Sequence, residues 1–108
     1  MDEKDINRLL LSYEQLYRTA NREFINPEIE ALSIDDLKPI VNIVAKSRAA
    51  YLKHVYELGK KYEGSDETPN AEELKKLKTL RLRFNELSEG SIAFETSIQR
   101  GYLDLKTS

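Results

Sequence analysis

The sequence predicts an all-α fold, an up-down-up antiparallel three-helix bundle of long helices with coiled-coil-like packing. Apolar residues recur every three or four positions through three long segments, the pattern of one buried helical face. The connections between them carry turn signals, which makes consecutive helices antiparallel neighbours. The apolar stripe of the third segment also drifts slowly backward around the helix, as a period nearer 3.5 requires, and this implies left-handed packing.

The first segment runs from about Asp5 to Phe24, with Ile6, Leu9, Leu10, Tyr13, Leu16, Tyr17, Ala20 and Phe24 on one stripe. Asn26-Pro27 ends it, because a residue before proline is pushed out of the α region and proline donates no N–H. In the linker that follows, Ser33-Ile34-Asp35-Asp36 has the form of a capping box with a shortened acid, and Pro39 suits a first helical turn. The second helix therefore starts at either Ile34 or Pro39. It continues to about Tyr62 or Glu63, where Gly64-Ser65-Asp66-Glu67-Thr68-Pro69 supplies a C′ glycine, a polar loop and a proline stop.

The third helix opens on Asn70-Ala71-Glu72-Glu73, a cap reinforced by two acids at the positive end of the helix dipole. Its stripe is Leu74, Leu77, Leu80, Phe84, Leu87, Phe94 and Ile98. Gly90-Ser91 interrupts this stripe without shifting its phase, so one long helix is expected, with a break into a fourth short helix as the alternative. Gly101 ends the helix, and Tyr102, Leu103 and Leu105 are expected to fold back on the bundle end.

Composition sets bounds on function. A chain of 108 residues has the size of one domain, expected to span 1–108, and 40% hydrophobic with 33% charged residues describes a globular chain. There is no cysteine, hence no disulfide and no thiolate, which fits the cytoplasm. The acidic start Met1-Asp2-Glu3-Lys4-Asp5 is unlike a secretory signal. The most apolar stretch, Pro39 to Ala45, is too short to span a membrane, which needs about 20 such residues. Seventeen basic against nineteen acidic residues give a net charge of −2, so no global field attracts nucleic acid or anionic lipid.

The second helix carries more apolar surface than one face needs. Ile40, Val44, Ser47, Tyr51, Val55, Leu58 and Tyr62 form its core stripe, while Val41, Ala45, Ala49, Leu52 and Tyr56, with Gly59 nearby, form a second set elsewhere on the cylinder. Leu11 and Leu82 stand opposite the stripes of their own helices. Either the second helix lies between two neighbours within one chain, or Val41, Ala45, Ala49, Leu52 and Tyr56 form a flat surface for a second copy or another protein.

Chemistry is sparsely encoded. The one histidine, His54, has Glu57 three residues on, but di-iron bundles need such a pair from each of two helices, so His54 reads as a boundary residue hydrogen-bonded at the rim. No phosphate-cradling glycine loop or nucleophile elbow occurs. Lys46, Lys53 and Lys60 recur every seven residues and form one line that could follow a phosphate backbone, although Glu57 shares the strip. The expectation is a non-enzymatic interaction or regulatory module without metal or cofactor, a homodimer through the second helix being one form. The alternative is a nucleic-acid-associated regulator using the lysine row.

Overall fold

The computed structural model describes residues 1–106. Among the described residues there are three long helices, α1 (Glu3–Ile25), α2 (Ile34–Lys61) and α3 (Ala71–Gln99), with a short 3-10 turn at Asn26–Glu28. The fold class is the predicted one, all-α with three helices in the predicted order. Two compact units form, one of Met1–Asp36 with Phe94–Ser108 and one of Leu37–Ala93.

Side chains set the helix ends. The Asp2 carboxylate accepts from the Asp5 N–H at 2.9 Å, which starts α1 two residues earlier than its apolar stripe implies. At the start of α2, Asp36 Oδ2 accepts from both the Ser33 N–H at 2.9 Å and the Ser33 hydroxyl at 3.0 Å. This cap decides for Ile34 as the first residue and leaves Pro39 inside the helix. At the start of α3 the box is reciprocal, with Glu73 N–H donating to Asn70 Oδ1 at 2.9 Å and Asn70 N–H to Glu73 Oε1 at 3.0 Å.

α3 is continuous through Gly90, where an added Cβ would meet open space. It ends in a Schellman motif: Tyr102 N–H reaches the Ser97 carbonyl at 2.9 Å and Gly101 N–H the Ile98 carbonyl at 3.1 Å, with Gly101 at φ +73°. Glycine adopts that left-handed conformation without the steric cost a Cβ would bring.

In the first unit the chain after α3 folds back as predicted, burying Tyr102 and Leu103 together with Leu32. Leu32 and Leu105 form an isolated parallel bridge, with Leu32 N–H donating to the Asp104 carbonyl at 2.9 Å and Lys106 N–H to the Leu32 carbonyl at 2.7 Å. Leu105 itself stays exposed. Arg22 fastens this segment to α1 by donating to the Gly101 carbonyl at 2.9 Å and to Asp104 Oδ1 at 2.6 Å. Asn26 adds two bonds to Asp104, one given and one received. Hydrogen bonds from Arg22 and then Asn26 hold the Asp104 carboxyl below its ordinary range.

The α1 stripe corrects the expectation of one buried face on that helix. No α1 residue is buried, and Ile6, Leu9, Leu10, Tyr13, Leu16, Tyr17 and Phe24 are 45 to 73% exposed. Within the unit, the turn after α3 engages α1 at Arg22, near its C-terminal end, and leaves the stripe uncovered. Tyr13 and Tyr17 pack edge to face on each other, ring centres 5.0 Å apart.

Candidate protein interface

In the second unit α2 and α3 form a hairpin, and the core stripe of α2 faces α3. Leu58 is buried, and Ile40, Val44, Ser47, Tyr51 and Tyr62 are half-buried. Tyr51 stacks on Phe84 with ring centres 6.4 Å apart, and the Arg48 guanidinium lies 5.0 Å from the centre of the same ring. Only Val55 of the stripe stays exposed.

His54 is buried beside this stripe, its Nε2 lying 3.2 Å from the Glu73 carbonyl. That oxygen only accepts, so the ring donates from Nε2. The histidine is thus a packed, hydrogen-bonded part of the hairpin, buried more deeply than a rim position implies. Among the described residues no three His, Asp or Glu side chains gather as metal ligands would.

Glu73 closes the hairpin. Beyond its capping bond, Oε1 accepts from the Tyr62 hydroxyl, and Oε2 accepts from Lys61 Nζ at 2.9 Å. The hydrogen bonds from Tyr62, Lys61 and the Asn70 backbone, in that order, hold its carboxyl at about 2. The same contact raises the Lys61 ammonium and the Tyr62 hydroxyl above their ordinary values. The Asn70 to Glu73 spacing marks the cap, but the reach to Tyr62 and Lys61 depends on how the loop closes.

The second apolar set of α2 is where the candidate surface lies. Val41, Ala45, Ala49, Leu52 and Tyr56 are all exposed, with Val41 at 61%, Leu52 at 55% and Tyr56 at 66%. Their spacings of four, four, three and four place them on one face of a straight helix. The structure therefore brings the five residues together in a strip along α2. Leu11 and Leu82 are exposed as well, at 67% and 48%.

The lysine row borders this strip. Lys53 Nζ lies 3.9 Å from Glu57, Lys60 Nζ lies 3.9 Å from Glu63, and the Lys60 ammonium stands 5.8 Å from the centre of the Tyr56 ring. Lys46 lines an open recess with Ile43, Ser47, Ala50, Leu80 and Arg83. Two of the three lysines thus have an acid beside them, which lowers the field the row presents. No helix among the described residues is long and apolar enough to cross a membrane. Comparison with protein-family profiles, with curated proteins and with solved structures finds no match.

Proposed function

We propose that the chain is a non-enzymatic protein-interaction module of the cytoplasm, whose docking face is the α2 strip of Val41, Ala45, Ala49, Leu52 and Tyr56. The observation that carries this reading is the exposure of all five residues on one helix, another face of which already packs on α3. An apolar strip of this size, bordered by charge, is typical of a surface that another helix covers. The alanines let a partner backbone approach closely, and Tyr56 is the kind of aromatic residue that anchors interfaces. The simplest form is a homodimer.

Light scattering of the wild type and of Leu52→Glu tests it. The expected result is a dimer that becomes a folded monomer on substitution, because a charge placed in a desolvated apolar contact finds no partner. An oligomer of unchanged mass in Leu52→Glu would move the docking face elsewhere. Nucleic-acid binding along Lys46, Lys53 and Lys60 is the second reading, supported by their regular spacing and opposed by Glu57 and Glu63 beside them.

A further inference from the structure

We infer that one flank of the α2 to α3 hairpin binds the phosphate backbone of duplex nucleic acid, through Lys46 and Lys53 of α2 together with Lys76 and Arg83 of α3. The inference rests on the second reading above, keeping two residues of its lysine row and replacing Lys60 with a second helix. It concerns the second unit alone and does not need the apolar strip of α2.

The net charge of −2 conceals a division along the chain. Residues 37–93, the second unit, carry eleven bases and eight acids, whereas the rest of the chain carries six bases and eleven acids. Within the hairpin, residues 37–56 and 74–85 contain no acid at all. These two stretches lie against each other, as the stacking of Tyr51 on Phe84 shows. The hairpin therefore has a local positive field that the net charge hides.

Lys46 and Arg83 line one open recess, with Ile43, Ser47, Ala50 and Leu80 as its other walls. Seven residues on along α2 stands Lys53, and seven back along α3 stands Lys76. Seven residues make nearly two helical turns, so in an antiparallel hairpin both return to the same flank one level nearer the loop. The result is two rungs of two cations, about 10.5 Å apart. A duplex strand rises about 3.4 Å per nucleotide, so the rungs match every third phosphate. All four residues are exposed. Among the described residues Lys46, Lys76 and Arg83 form no ion pair, and Lys53 has only Glu57 at 3.9 Å. Glu57 and Glu72 at the next level toward the loop, and Glu86 beyond Arg83, limit the face to these two rungs.

What lies between the rungs decides the partner. On this flank the intervening residues are Ala50 and Thr79, both exposed, and Ser47 and Leu80, both half-buried. With no aromatic ring among them there is no platform on which unpaired bases could stack, which disfavours a single strand. With no large exposed aliphatic side chain among them there is little for the apolar face of an acidic helix to bury. Charge at a regular spacing remains, the means by which proteins hold a duplex without reading its sequence. Arg83 adds a planar fork that donates two N–H groups to one phosphate.

The test is fluorescence anisotropy of the full-length chain with a labelled DNA duplex of about 20 base pairs and arbitrary sequence, at salt from about 50 to 200 mM. Binding is expected to weaken with salt, log K falling by about 0.9 per phosphate contact for each unit of log salt. Lys76→Gln/Arg83→Gln should take about two units off that slope and weaken binding at least about tenfold at the lower salt, with circular dichroism unchanged. Lys60→Gln and Lys75→Gln should leave both as they are, because Lys60 lies outside the rungs and Lys75 falls on the side of α3 away from α2. If Lys60→Gln costs binding and Lys76→Gln/Arg83→Gln does not, the lysine row alone is the site and the two-helix face is overturned. Equal losses from Lys75→Gln and Arg83→Gln would mean diffuse attraction to a basic helix, which overturns it too. A single strand bound more tightly than the duplex, or poly-glutamate displacing the duplex at equal charge, would overturn duplex nucleic acid as the partner. Absence of binding at the lower salt would overturn the inference outright.

Discussion

The Tyr62 hydroxyl donates to the Glu73 carboxylate across the loop between α2 and α3, joining the residue just past one helix to the first turn of the next. The same carboxylate accepts from Lys61 and from the Asn70 backbone. One ionised side chain thus serves as helix cap and interhelical clasp, and it makes the hairpin sensitive to acid.

Because Glu73 is held at about 2, well below its ordinary 4.5, its contribution to stability is complete above the ordinary value and is lost as pH falls through the lower one. Helix content followed by circular dichroism in moderate urea should therefore fall between about pH 5 and pH 2. Glu73→Gln should be less stable at neutral pH and flatter across that window. Asp36 and Asp104, also held low, should supply the residual slope.

The Asn70 cap is open to a smaller test. Asn70→Ala removes the side-chain acceptor of the Glu73 N–H and should lower stability by about 1 kcal/mol, read from the urea midpoint at unchanged slope.

Two glycines should respond with opposite signs. Gly90 lies inside α3 with open space around it, so Gly90→Ala should stabilise by roughly 0.5–1 kcal/mol. Gly101 sits at φ +73°, so Gly101→Ala should destabilise the end of α3 and loosen the segment behind it. Thermal unfolding of the two variants side by side checks both.

Arg22→Ala should loosen the C-terminal segment on α1, since Arg22 holds both Gly101 and Asp104 and only the Asn26 bonds to Asp104 then remain of this cluster. Amide hydrogen exchange should then speed up at Leu32, Asp104 and Lys106 while the α2 to α3 hairpin keeps its protection.

Much of the fold was legible in the sequence because the signals that set it are local. Asn26-Pro27, Ser33 with Asp36, Gly64, Asn70 with Glu73, and Gly101 each act within a turn or two of where they stand. The phase of the apolar stripe across Gly90 was enough to keep α3 whole. What the stripe could not convey was which surface covers it. An amphipathic helix has the same periodicity whether its cover is in the same chain or another, so the exposure of Leu16 and Tyr17 became visible only in the structure. The second face of α2 was legible as an excess of apolar residues at Val41, Ala45, Ala49, Leu52 and Tyr56. Long-range polar partners such as Arg22 and Asp104, 82 residues apart, leave no sequence pattern at all.

The bridge between Leu32 and Leu105 brings together the points where the chain departs for α2 and returns from α3. The α2 to α3 hairpin is thus inserted between two chain segments that backbone hydrogen bonds hold side by side within the first unit. Its arms could be lengthened or shortened together by whole heptads, at about two turns each, without altering the closure at its base. Through such insertions a chain of this design could vary the length of its α2 surface while the first unit stays as it is.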